Sequence, residues 1–177
     1  MKRFIAIIFA ISIITGCGKN DDAGKIPKDA RNLVQHADFT FMAPLDWNVV
    51  EKESTKDKFV FQSQDGKSKL TISMLYCDKA LKQDEVANLF KTTAENKRKA
   101  ELEAKPSMEL SDTMVGSGKG YLYAKFAGVD KSHDRSSATL ITSEKGKIFT
   151  LYLELAGTNK DSVTAISNDI FSNFNVK

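Results

Sequence analysis

Apolar and polar residues alternate over long stretches from Phe39 onward, and a period of two marks half-buried β-strands. Phe39 and Phe41 alternate with polar neighbours, Pro44 to Asp46 turn the chain, and Trp47 to Val50 begin a second run. Lys58 to Ser63 and Lys69 to Tyr76 alternate again, joined through Asp65-Gly66, a pair suited to the positive φ of a tight hairpin turn. These four runs predict an antiparallel meander. The period then changes to that of a helix, with Val86, Leu89, Phe90, Thr93, Ala94 and Lys97 on one face, Asp84 placed as N-cap and Pro106 as terminator. Glu95 with Lys99, and Glu101 with Lys105, stand at i,i+4 on the opposite face as surface ion pairs.

Four more strands are predicted at Met108–Val115, Gly120–Ala127, Ser137–Ser143 and Lys147–Leu155, the last two linked by Glu144-Lys145-Gly146. A closing helix runs from Lys160 to Phe174, with Val163, Ile166, Ile170 and Phe174 as its apolar stripe and Thr158 or Asn159 as its cap. Strands, helix, strands, helix describe an α+β domain: an antiparallel sheet of about 6–8 strands with helices packed on it. Phe39, Phe41, Phe59, Phe61, Phe149 and Phe174 fall on inward-facing positions, and Trp47 reads as core with them.

The first residues follow a different pattern. Lys2 and Arg3 precede an apolar run from Phe4 to Ile14 interrupted only by Ser12, and Thr15 and Gly16 lead into Cys17. A basic end, a short apolar core and a small-residue cleavage zone define an export signal. Its apolar run is about half the roughly 20 residues a membrane-spanning helix needs. Ile14-Thr15-Gly16-Cys17 resembles the lipobox of bacterial lipoproteins. That resemblance implies removal of residues 1–16, a diacylglyceryl thioether on the Cys17 sulfur and a mature protein held on a membrane by two or more acyl chains, enough for stable anchoring. Gly18 in place of Asp implies the outer membrane, facing the periplasm, where the host has two membranes.

Gly18 to Lys28 lacks apolar periodicity and reads as a tether, while Asp29 to His36 fits either a short helical turn or the start of the fold. The expected organisation is signal 1–16, lipidated cysteine and tether 17–36, and one domain 37–177.

Charge narrows the function classes. Of 26 basic and 23 acidic residues, two basic ones lie in the signal, so the mature chain is close to neutral and lacks the basic excess of a nucleic-acid binder. Cys77 is the only cysteine besides Cys17, so a lipidated chain forms no intramolecular disulfide, and Cys77, at the end of an apolar strand, reads as a buried or half-buried free thiol.

Candidate chemistry fails its spacing tests. Gly116-Ser117-Gly118-Lys119-Gly120 lacks the first Gly, the Ser/Thr after Lys and the following helix of a phosphate loop, and reads as a flexible turn between strands. Asp130, Ser132, His133, Asp134 and Arg135 include every residue type of a hydrolytic triad. Triads, however, are assembled from separated segments, so these residues read as a solvated hairpin loop. Asp130, His133, Asp134 and Arg135 are retained as a candidate partner-contact loop. His36 and His133 stand far apart with no metal-ligand spacing, and Lys97-Arg98-Lys99 shares its helix with Glu95, Glu101 and Glu103, a solvated face. No catalytic set, metal or cofactor is expected.

The order of elements, the opening Phe39-Thr40-Phe41-Met42-Ala43-Pro44-Leu45-Asp46-Trp47 and the Ile166–Phe174 helix together resemble the PsbP-like superfamily, which includes DcrB-like envelope lipoproteins. The likeness covers Ala37 to Lys177, with Asp46 where relatives commonly place Gly before the Trp. It implies an α-β-α sandwich around an antiparallel sheet and brings no catalytic residue. The function expected is a non-enzymatic, membrane-anchored envelope lipoprotein that binds another envelope protein or macromolecule. The alternatives are an immunity lipoprotein against a periplasmic toxin and a lipoprotein that binds a small molecule or lipid.

Overall fold

The computed structural model describes residues 31–76, 83–118, 121–144 and 146–177. The export signal, Cys17, the tether to residue 30 and Cys77 lie outside the described residues.

The strands in chain order are β1 (Arg31–Gln35), β2 (Phe39–Pro44), β3 (Trp47–Val49), β4 (Lys58–Ser63), β5 (Lys69–Tyr76), β6 (Met108–Leu110), β7 (Met114–Gly118), β8 (Tyr121–Asp130), β9 (Arg135–Glu144), β10 (Lys147–Ala156) and β11 (Asn175–Val176). Helix α1 (Gln83–Ala104) follows β5 and α2 (Lys160–Asn173) follows β10. Among the described residues an eight-stranded antiparallel sheet runs β3-β4-β5-β10-β9-β8-β6, with β7 also paired to β8, and a three-stranded sheet runs β1-β2-β11. No helix of the described residues is long and apolar enough to cross a membrane.

Alternation decides what each face of the large sheet holds. On β10, Phe149, Leu151, Leu153 and Leu155 point to one side with Leu70, Ile72 and Met74 of β5, and meet Phe39 and Phe41 of β2, Val163 and Ile170 of α2, and Phe174 at its C-cap. Their edge-to-face and offset contacts, such as Phe39 to Phe149 at 6.2 Å and Phe41 to Phe61 at 5.0 Å, fill the main core. On the other side Phe90 and Ala94 of α1 pack on Ala124, Phe126 and Ile141. The result is three layers: α1, the large sheet, and the small sheet with α2. Asn159 caps α2, its Oδ1 accepting from the backbone N–H groups of Asp161 (3.0 Å) and Ser162 (3.1 Å).

Several expectations are corrected. Arg31–Gln35 is a strand antiparallel to β2, so of the two readings of Asp29 to His36 the start of the fold holds over 31–35 and the helical turn does not, and the domain begins before Ala37. The four early runs do not form one meander: after β2 the Pro44-Leu45-Asp46 turn carries the chain from the small sheet into the large one, and Phe39 and Phe41 pack edge-to-face on Phe59 and Phe61 across the layers. Met108–Val115 is two strands broken at Ser111, whose hydroxyl accepts from Ala127 N–H (3.1 Å) and whose carbonyl accepts from Arg98 Nε (2.8 Å). Gly116 to Gly118 belong to β7 rather than to a turn, and Lys119 and Gly120 lie outside the described residues.

Helix α1 begins at Gln83, so Asp84 lies inside its first turn. Its buried line is rotated from the one the spacing suggests: Leu89 stays 38% exposed and Lys97 points outward, while Arg98 and Glu101 turn in. The i,i+4 contact observed is Lys99 with Glu103 at 3.9 Å. Glu101 and Lys105 reach instead for the sheet.

Candidate functional site

Strands β8 and β9 end in the pair Asp130↔Arg135, and Lys131 to Asp134 close the hairpin. Closing an antiparallel ladder in so few residues requires a left-handed residue, and Asp134 supplies it at φ 49°. The Asp130 carboxylate organises the turn from within. Its Oδ1 accepts from Ser132 N–H (3.1 Å), Ser132 Oγ (2.7 Å) and Ser107 Oγ (2.8 Å), and its Oδ2 lies 2.8 Å from His133 Nδ1. Asp130 is 2% exposed, so it is a buried strut and not part of a solvated loop or contact surface. The Ser132 hydroxyl hydrogen bond, joined by those from Ser107 and His133, holds its carboxyl well below the usual carboxylate range against the opposing effect of burial.

The same geometry settles what this cluster is chemically. A triad base takes the nucleophile's proton on one imidazole nitrogen and is oriented by a carboxylate on the other. Here Ser132 Oγ (3.0 Å) and Asp130 Oδ2 (2.8 Å) both meet Nδ1 of His133, and the Ser132 hydroxyl also lies against the carboxylate. The three residues form a closed hydrogen-bonded turn and not a proton relay.

Three braces fix the hairpin tip from outside. Lys131 Nζ meets Glu109 Oε1 of β6 at 2.9 Å, Arg135 Nη1 donates to Lys67 O in the β4–β5 turn at 3.5 Å, and Gly157 N–H donates to Asp134 O at 2.8 Å. With Asp130 inside, His133 (side chain 69% exposed), Asp134 and Arg135 are presented outward on a preset backbone. Such a surface offers both charges and an imidazole to a polar partner without having to be ordered on contact.

Two other polar clusters escaped the sequence reading. At the C-terminal end of α1, Glu101 Oε1 accepts from Tyr152 Oη (2.9 Å) and Ser137 Oγ (2.9 Å), while Lys105 Nζ donates to Glu154 Oε1 (2.7 Å) and Tyr152 Oη (3.1 Å). Burial, with the Glu101 and Glu154 carboxylates beside it, pushes the Tyr152 phenol far above its ordinary value. The signal was present, since β10 alternation puts Tyr152 and Glu154 on the face opposite Leu151 and Leu153. The second cluster joins His36 and Asp38 of one turn to Lys147 and Lys177, which stand too far away in sequence for any spacing to link them. Among the described residues no three His, Cys, Asp or Glu side chains gather in a way that could hold a metal ion.

No family model and no curated protein matches this sequence. Among solved structures, cyanobacterial PsbP (CyanoP) from Synechocystis superposes with a TM-score of 0.65 at 17% identity, covering 87% of this chain and 96% of that one. LpqN of Mycobacterium tuberculosis, described as involved in cell envelope biogenesis, aligns at 19% identity over 83% of this chain and 90% of its own, with a TM-score of 0.46. At 17% identity the CyanoP match speaks for architecture alone, and it agrees with the layers and sheet described above: the chain has a PsbP-like α+β fold.

Proposed function

We propose that this protein is a non-enzymatic lipoprotein of the bacterial cell envelope, tethered through lipid on Cys17, that contacts a protein partner with the tip of the β8–β9 hairpin. The observation that carries the reading is the internal bracing of that tip by Asp130, which leaves His133, Asp134 and Arg135 exposed in a fixed arrangement. Function tends to sit on loops positioned by a rigid scaffold, and a pre-ordered loop loses little entropy on binding. The lipobox-like Ile14-Thr15-Gly16-Cys17 supports the anchor.

The test uses the full chain in its host, with a photo-crosslinking residue at position 133 and, as control, at the exposed position 95 on α1. The reading expects one defined protein adduct from position 133, weakened by Arg135→Glu and absent from position 95. Cys17→Ser is expected to remove the acyl mass and release the protein from membranes. Equal adducts from both positions, or none from 133, overturns the contact. Unchanged membrane retention of Cys17→Ser overturns the anchor.

A further inference from the structure

The C-terminal strand is short, and apart from Val176, which packs partly buried on the main core, it is held by a few backbone and lysine hydrogen bonds. β11 pairs with β2 at two positions only, Asn175↔Thr40 and Val176↔Phe39. Beyond them Lys177 makes two hydrogen bonds to the β1–β2 turn: its N–H donates to Asp38 O (2.9 Å) and its Nζ donates to His36 O (2.6 Å). The docking of the chain end therefore depends on the turn keeping its shape.

That shape depends on a neutral histidine. The His36 ring stacks on Phe39 at 4.8 Å and packs against Phe59 at 4.3 Å, and its Nδ1 accepts the Asp38 N–H at 3.2 Å. A nitrogen that accepts carries no proton, so the ring is neutral with its hydrogen on Nε2. The charged groups facing it are Asp38 in the same turn, Lys147 of β10 and Lys177 at the chain end. Asp38 Oδ2 lies 3.5 Å from Nδ1, while its Oδ1 is engaged by Lys147 Nζ at 2.6 Å.

We propose that the β1–β2 turn is an acid-operated latch: protonation of His36 releases Lys177 and β11 from β2 while the remainder of the domain stays folded. A second ring proton has to sit on Nδ1, where the Asp38 N–H already points, and two donors cannot bond each other. The imidazolium also faces two ammonium groups, with a single carboxylate already shared with Lys147. Relief requires the ring to tilt away from Asp38 N, and the His36 carbonyl that holds Lys177 Nζ belongs to the same residue. Burial, together with Lys177 and Lys147 and against the pull of Asp38, lowers the His36 pKa, which agrees with a ring that resists protonation in the closed form. Release bares the β2 edge at Phe39 and Thr40, an unpaired strand edge able to accept another chain.

The test is amide hydrogen exchange on the full chain from about pH 7.5 to about pH 5, corrected for intrinsic exchange rates, with the His36 imidazole followed by NMR in the same samples. The latch expects protection at Asn175 and Lys177 to fall at least about tenfold, with a midpoint matching the His36 titration, while amides of β4, β5 and β10 keep theirs. His36→Gln, which keeps an acceptor and does not titrate, is expected to give a flat profile. The wild-type arm stands alone should that variant fold poorly. The proposal is overturned if His36 stays neutral throughout, if it titrates with β11 protection unchanged, if the whole domain loses protection together, or if a folded His36→Gln protein keeps the wild-type pH dependence.

Discussion

The Tyr152 hydroxyl on β10 lies 2.9 Å from Glu101 of α1, and that contact fastens the C-terminal half of the helix to the sheet through a hydrogen bond. Phe90 and Ala94 bury the apolar face of the N-terminal half, with Val86 packed beside them. From Arg98 onward the inward positions are charged, so the attachment changes from hydrophobic to hydrogen-bonded along one helix. Tyr152→Phe removes the donor to Glu101 and the acceptor for Lys105 and leaves both partly unsatisfied, an expected loss of about 1–2 kcal/mol in urea unfolding. A raised phenol pKa also has a sign in pH. The native state keeps its proton where the unfolded chain, at about 10, gives it up, so stability falls as pH rises past about 10. Phenolate absorbance should show one tyrosine that ionises only with unfolding, and Tyr152→Phe should abolish that component.

The Asp130 strut predicts acid sensitivity of the opposite kind. Its carboxyl is held low in the folded state, so its contribution is fully present above the unfolded value of about 4 and is lost as pH falls toward the folded one. Thermal melts of wild type should lose more between neutral pH and about pH 3 than melts of Asp130→Asn, which keeps the shape and an acceptor but no charge. Parallel losses in the two proteins would show that Asp130 is not a source of the acid sensitivity.

Leu89 and Phe90 are neighbours on α1 with opposite environments. Phe90 is 1% exposed and lies in the helix–sheet core, whereas Leu89 is 38% exposed. Phe90→Ala should cost about 3–5 kcal/mol, and Leu89→Ala, with much of its side chain already in water, under about 1 kcal/mol. Chemical denaturation of the two variants distinguishes the observed helix rotation from the one the apolar spacing suggests.

That rotation shows where sequence patterning stops. Alternation placed β2, β4, β5, β9 and β10 within a residue or two, since a strand with one face buried writes its register into a period of two. The α2 stripe of Val163, Ile170 and Phe174 was legible for the same reason, with Asn159 at its head. Helix α1 was harder, because a polar residue that turns inward looks like one on a surface, and only the presence of Tyr152 and Glu154 opposite distinguishes them. The hairpin site was half legible. Its residues crowd one loop, but nothing local reveals that Ser107, across the end of α1, meets Asp130 and draws that carboxylate out of water. Lys177 and His36 are far apart along the chain and meet only once β11 is added to the edge of β2.

Two glycines at the same edge of the large sheet separate a close approach of backbone from one of side chain. A Cβ on Gly128 of β8 would stand 2.6 Å from the Glu109 carbonyl oxygen and would also strike Leu110, both in β6, the strand paired to it there. The carbonyl cannot move without breaking that pairing, so Gly128→Ala should destabilise by about 1–3 kcal/mol and loosen β6, read as lost amide protection at Glu109 and Ser111, the N–H groups on the β8 side. A Cβ on Gly116 of β7 would meet Tyr123 Oη at an equal 2.6 Å, but this is the far end of a rotatable ring. Swinging that ring aside gives up the Lys125 contact at 5.8 Å from its centroid and part of its packing on the main core, against which the stiffer alanine gains about 0.4–1 kcal/mol by restricting the unfolded chain. Gly116→Ala should therefore fall within about 1 kcal/mol of wild type. Equal losses at the two sites would mean that Tyr123 is as fixed as backbone, and a neutral Gly128→Ala would mean that β6 is not held against β8 as tightly as the pairing implies.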